Sequence, residues 1–247
     1  MKTVLNKVVV FLGIIIVSAS AWGSVAKNDR VLVVVSELQE HGPQNLRTLY
    51  VALEELTQVQ TDLILRDDYK QIIYLRSNQA TLANFSSTLR SLAMRQDVAA
   101  IDVIMSLHGA DGRLYFREGR VNVSTMTAAV TAGSTPLERL VVSRMKAKLR
   151  AIYNLSCFGR SHNLAFREMG FDITVGSNGI NANSEVEYVS VLTAWSFGVP
   201  FMASFRPTNS DVAIALADAP VQIVGINADS KKYFRGDSLV KISGDAQ

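Results

Sequence analysis

The sequence predicts an α/β fold: a doubly wound, mostly parallel sheet with helices on both faces. Three observations carry this. Val31 to Val35 is a run of five β-branched or leucine residues, the composition of a strand covered on both faces. Similar apolar runs alternate along the chain with stretches whose apolar residues recur at helical spacing. No repeat, linker or low-complexity break divides the 247 residues, so residues 27–247 read as one domain with right-handed crossovers.

The elements follow in order. After the Val31 to Val35 strand, Pro43 opens a helix with Leu46, Leu49, Tyr50, Leu53 and Leu56 on one stripe. Asp62 to Leu65 and Ile72 to Leu75 are strand candidates, and Leu82, Phe85, Leu89 and Leu92 trace a second amphipathic helix. Ile101 to Leu107 is the next strand. Arg113 to Val123 reads as a surface hairpin, followed by a Ser/Thr/Ala/Gly segment from Ser124 to Ser134. Thr135-Pro136-Leu137-Glu138 is a capping box with proline at the first helical position, and Leu137, Leu140, Val141 and Met145 form the buried stripe behind it. Ala151 to Ser156 is a strand, a short helix ends near Gly170, and Phe171 to Val175 is a further strand closing at Gly176-Ser177-Asn178. A second capping box, Ser184 to Glu187, starts a helix carrying Tyr188, Val189, Leu192 and Trp195 that stops at Gly198 before Pro200. Val221 to Ile226 and Leu239 to Ile242 complete the chain as small strands.

Lys2 and Lys7 precede an apolar stretch from Val8 to Val17, and Ser24-Val25-Ala26 fits a small-x-small cleavage site. This predicts a secretory signal peptide over residues 1–26. The stretch is short of the roughly 20 apolar residues that span a bilayer, so no stable membrane anchor is expected after cleavage. Removing it leaves 23 basic against 22 acidic residues, a net charge of +1, which carries no nucleic-acid footprint. With no internal disulfides expected, export to the periplasm or medium of a bacterium fits best. Cys157 is the only cysteine. In an exported chain a lone thiol is buried and inert, paired with another chain, or reactive.

The chemistry lies at two strand ends. Ile101 to Leu107 runs into His108-Gly109, and about fifty residues later Ala151 to Ser156 runs into Cys157. Parallel strands deliver the residues that follow them to the carboxyl edge of the sheet, where open α/β folds build their sites. Two such strands would bring an imidazole beside a thiol, the arrangement of an activated nucleophile. A helix start after Cys157 would favour the thiolate. The Gly109 and Cys157 amides would receive an oxyanion. A core cysteine and a plain His-Gly turn explain the same residues without chemistry. His41 and His162 compete for the base role, His162 with a solvated or capping role as its other reading. One cysteine and three scattered histidines have no metal-ligand spacing, and no phosphate loop occurs.

Val103-Ile104-Met105-Ser106-Leu107-His108-Gly109 and Ile152-Tyr153-Asn154-Leu155-Ser156-Cys157-Phe158-Gly159 resemble the two motif strands of the caspase-like cysteine peptidases, the group of caspases, metacaspases, legumain, clostripain, gingipain and CHAT domains. Asn78 to Phe85 resembles the segment before the helix that precedes the histidine strand, and Phe166 to Gly170 through Val175 to Ser177 resembles the helix and strand beyond the cysteine in CHAT domains. The likeness runs from about Arg30 to Pro200. It implies a caspase-like three-layer sandwich, His108 as base and acid, Cys157 as nucleophile, Gly109 as oxyanion donor, a protein or peptide substrate, and no cofactor or third catalytic residue. Glu37, Ser177 and Asn178 would line the substrate pocket. The acid that metacaspases and clostripain carry two residues before the cysteine is replaced here by Leu155. The expected function is an exported cysteine endopeptidase; a catalytically inactive domain of the same fold that binds a peptide or protein partner is the alternative.

Overall fold

The computed structural model describes residues 25–243, apart from the side chain of Glu185. The expected signal peptide lies outside the described residues except for Val25 and Ala26. Val25 is buried, and its amide donates to the Ser243 carbonyl oxygen at 2.9 Å.

Among the described residues, eight strands form one sheet: β1 Arg30–Glu37, β2 Gln71–Arg76, β3 Ala100–Ala110, β4 Arg113–Phe116, β5 Gly119–Asn122, β6 Leu149–Asn154, β7 Ile173–Ser177 and β8 Lys232–Gly236. The main path runs β2-β1-β3-β6-β7-β8. Its pairings are parallel except that of β8, which lies antiparallel to β7, and β4 and β5 form a hairpin on β3. The helices are α1 Arg47–Leu65, α2 Leu82–Met94, α3 Val123–Thr131, α4 Pro136–Lys146, α5 Asn163–Met169, α6 Ser184–Ser196, α7 Phe201–Ser204 and α8 Asp211–Ile223. The expected doubly wound α/β class is therefore the observed one.

Alternation along the central strand sorts the two layers, because successive side chains point to opposite faces. Val31, Val33 and Val35 pack into one core with Phe85, Leu89 and Leu92 of α2, Met126 and Val130 of α3, and Phe166 of α5. Leu32 and Val34 face the other core, with Leu65 of α1, Leu192 and Trp195 of α6, and Phe201 and Phe205 of α7. At the amino end of the sheet Arg150 and Asp102 form a buried ion pair. Tyr69 Oη donates to Asp102 at 2.8 Å, and Arg150 and Arg30 donate to the Ile242 carbonyl. The network ties the C-terminal segment beneath the central strands.

Several elements differ from expectation. Asp62 to Leu65 is the last turn of α1 rather than a strand, because the face that α1 buries runs through Glu54, Thr61 and Leu65. Leu46, Leu49 and Leu56 are exposed, so the leucine stripe is not a core stripe. On α4 the capping box forms, but only Met145 is fully buried while Leu137 and Leu140 face solvent. Most of Ser124 to Ser134 lies in α3, with Met126 and Val130 inside. The second capping box does not form: Asn183 is the N-cap of α6, and Glu187 turns inward to Tyr153 and Lys232. Val221 to Ile226 is the end of α8 and the turn after it, since the alanine-rich run 213–219 propagates a helix past Pro220. Leu239 to Ile242 makes no strand but buries Val240 and Ile242, and β8 takes the edge position instead.

Candidate active site

The site is built where β3 and β6 leave the parallel sheet. The β1–β3 ladder ends at the Glu37–Leu107 pair. The β3 strand does not stop there: His108, Gly109 and Ala110 continue it and pair antiparallel with Tyr115, Leu114 and Arg113 of the hairpin. Beyond β6, the Leu155 amide still donates to the Met105 carbonyl at 2.9 Å, and Cys157 lies two residues further on. An added Cβ at Gly109 would stand 2.3 Å from the Cys157 carbonyl oxygen and 3.1 Å from its nitrogen. The two strand ends thus touch backbone to backbone, which only glycine permits.

The His108 ring is held on two sides. Its Nε2 lies 2.8 Å from the Leu38 carbonyl oxygen, and the Tyr50 ring meets it edge-on with centroids 5.0 Å apart. A carbonyl only accepts hydrogen bonds, so Nε2 carries the proton and Nδ1 is the free base of the neutral ring. Burial pushes the His108 pKa down from 6.5, against the Leu38 hydrogen bond, which keeps the ring neutral and basic at pH 7.

The loop carrying Leu38 is clamped by two carboxylates. Glu54, buried on α1, accepts from the Leu38 amide at 2.6 Å and from Gln39 Nε2 at 3.0 Å. Glu37 accepts from the amides of Gln39 and Glu40 at 3.1 and 2.9 Å.

Cys157 is half-buried. Desolvation raises its pKa, and the Asn181 and Cys157 amides and the Lys232 charge act in the opposite direction without cancelling it. This corrects the expectation of a thiolate favoured by a following helix: Phe158 adopts a left-handed conformation, a 3-10 turn spans Gly159–His162, and α5 begins only at Asn163. Burial thus disfavours the charged form of each group, the thiolate of Cys157 and the imidazolium of His108. Cys157 also raises the Tyr50 pKa, after burial, so the phenol is within electrostatic reach of the sulfur.

His108 and Cys157 open onto one cleft of about 240 Å³. Its α1 wall is Tyr50, Leu53, Leu56, Thr57 and Gln60, and its far wall is Leu155, Ile180, Asn181, Ser184 and Tyr188. Tyr50, Leu53 and Leu56 of the expected α1 stripe are therefore cleft wall, while Leu46 and Leu49 stay outside it.

The other expected site residues lie elsewhere. Glu37 is fully buried and spent on loop amides, with Arg117 at 4.0 Å. Ser177 is buried and donates to the Gly179 carbonyl at 2.9 Å. Asn178 bonds Arg160 and Asp229. None of the three lines the cleft. His41 turns to the Phe116 carbonyl at 2.8 Å. His162 is buried rather than solvated: its Nε2 meets the Ala110 carbonyl at 2.9 Å and its Nδ1 meets Asn154 Nδ2 at 3.0 Å. Asn154 Oδ1 in turn accepts from the Ser156 amide at 3.1 Å, so His162 braces the Cys157 turn from behind. Leu38, Tyr50, Glu54 and Asn181 escape detection in the sequence. A glutamate placed among leucines in the α1 stripe is the one signal it offers for Glu54.

No family model and no curated protein matches the chain. Among solved structures, caspase-1 from Spodoptera frugiperda is similar over 87% of this chain and 89% of its own, at 11% identity and a TM-score of 0.55. The chain has the caspase-like fold. A secreted C11 cysteine protease from Bacteroides thetaiotaomicron, "iotapain", is similar over 66% of this chain and 56% of its own, at 12% identity and a TM-score of 0.43. In this caspase-like chain the sheet edge that carries His108 and Cys157 is also the mouth of the cleft. Among the described residues, no helix is long and apolar enough to cross a membrane.

Proposed function

We propose that this chain is an exported cysteine endopeptidase with Cys157 as nucleophile and His108 as general base and acid. The observation that carries the reading is that imidazole and thiol open onto one cleft, with the free Nδ1 of His108 fixed by the Leu38 carbonyl. The N-terminal Lys2, Lys7 and Val8 to Val17 support export.

In the proposed reaction His108 Nδ1 takes the thiol proton as the sulfur attacks the peptide carbonyl carbon. The Gly109 and Cys157 amides receive the oxyanion. The carbon–nitrogen bond then breaks, the imidazolium returns its proton to the leaving amine, and a thioester remains on Cys157. A water molecule, deprotonated by the same imidazole, releases the acid and regenerates the thiol. Burial raises the thiol pKa and lowers the imidazole pKa, so in this proposal proton transfer accompanies attack and no standing ion pair is needed.

The burial that raises the thiol pKa favours one other reading, an inactive domain that holds a peptide in the same cleft. Incubation with an unstructured protein separates the two. Peptide-bond cleavage that falls by ~10³-fold or more in Cys157→Ala and ~10²-fold or more in His108→Ala supports the peptidase. Binding without cleavage supports the alternative.

A further inference from the structure

We infer that the cleft selects an uncharged side chain, one with an apolar stem such as leucine, methionine or glutamine, on the acyl side of the scissile bond. The inference rests on the peptidase reading and concerns its substrate class. Among the described residues, no Asp, Glu, Lys or Arg lines the cleft. Its walls offer Leu53, Leu56, Leu155 and Ile180 as apolar surface, with the Gln60 and Asn181 amides as neutral polar groups. Leu155, two residues before Cys157, lines the cleft with the 9% of its surface that is exposed.

The charges behind these walls are already committed. Lys232 and Glu187, with side chains 0% and 1% exposed, are 3.0 Å apart. Lys232 also donates to Asn181 Oδ1 at 2.8 Å and to the Ser230 carbonyl at 3.2 Å, while Glu187 takes the Tyr153 hydroxyl at 2.7 Å. Lys232 thereby orients the Asn181 side chain, whose Nδ2 donates to the Leu155 carbonyl at 2.9 Å, and its ammonium is held against Glu187 instead of lining the cleft. Glu54 is turned to the Leu38 loop, away from this role. A carboxylate or guanidinium entering the cleft would leave water without a counter-ion, which is strongly unfavourable. A neutral side chain loses nothing comparable and gains apolar contact.

The test is a panel of fluorogenic peptides identical except for Leu, Gln, Arg, Lys, Asp or Glu at that position, assayed with the wild type and Gln60→Glu. The substitution is nearly isosteric and puts a negative charge on the α1 wall. For the wild type, kcat/KM should be at least ~100-fold higher for the better of Leu and Gln than for any charged residue. In Gln60→Glu the ratio of Arg to Leu turnover should rise ~10-fold or more, with melting temperature checking the fold. Wild-type preference for Asp, Glu, Arg or Lys would overturn the inference and leave the peptidase reading standing. An unchanged Arg to Leu ratio in a folded Gln60→Glu protein would also overturn it, because this cleft would not be the one that reads the side chain. Absence of turnover on every peptide, together with an uncleaved protein substrate, would instead overturn the peptidase reading itself.

Discussion

The imidazole Nε2 of His108 and the carbonyl oxygen of Leu38 lie 2.8 Å apart. That contact fixes both tautomer and ring direction, and it depends on a peptide group in a loop. Glu54 holds that peptide by its amide at 2.6 Å. Glu54→Ala should lower kcat by ~10- to 100-fold with little change in KM, because a small misplacement of a catalytic group has costs of that size. Glu54→Gln, which keeps an acceptor for the Leu38 amide, should recover most of the loss. Steady-state kinetics on both variants, with the acidic limb of the pH profile, distinguish positioning of His108 from general destabilisation.

The half-buried His108 and the buried His162 predict the behaviour in acid. Burial lowers the pKa of both His108 and His162 from 6.5. For His108 this keeps the base unprotonated below pH 6.5, so the acidic limb of kcat/KM should fall below that value.

For His162 the consequence is stability. The unfolded chain takes up its proton first as pH drops below about 6.5, so the stabilising effect of neutral His162 is complete above that pH and is lost as pH falls towards the folded-state pKa. Denaturant unfolding at pH 7.5 and 5 should show this loss, and His162→Gln, which cannot titrate, should show less of it.

Gly109→Ala should abolish turnover while leaving a folded protein. The added methyl would stand 2.3 Å from the Cys157 carbonyl oxygen, so the two strand ends must part and the proposed oxyanion donors move with them. A loss of ~100-fold or more in kcat is expected, the order of a lost oxyanion donor. Near-normal turnover would show that the close approach is not needed.

Asp102→Ala should do the reverse. It leaves Arg150 buried beside the Ile242 carbonyl without its carboxylate, a change that costs about 3–5 kcal/mol. The melting temperature should fall, while the kcat of the proposed reaction per folded molecule stays close to wild type, because this network sits at the far end of the sheet from the cleft.

The sheet was legible because its strands are short, apolar and buried on both faces: Val31 to Val35, Ile101 to Leu107 and Phe171 to Val175 all fall within or beside observed strands. Their alternation with helices also gave the correct layers. The helix faces were less legible, since a leucine stripe looks the same whether it meets a core or walls a cleft, as on α1. His108 and Cys157 could be singled out because each directly follows an apolar run. The cleft walls could not, because Asn181, Tyr188 and Gln60 meet only through tertiary packing. Glu37 and Ser177 occupy the expected sheet edge but point into the protein, a distinction that position along the chain does not encode.

In the proposed mechanism Cys157 carries an acyl group delivered with the help of His108, and every other step depends on that one. The decisive experiment mixes the protein with a peptidyl p-nitrophenyl ester bearing leucine at the acyl position, quenches in acid and maps the adduct by mass spectrometry. A burst of nitrophenol close to one equivalent and the acyl mass on Cys157 are expected. Both should be absent in Cys157→Ala, and acylation should be slower by ~10²-fold or more in His108→Ala. No adduct on Cys157, or an adduct that forms at the same rate without His108, would contradict the mechanism.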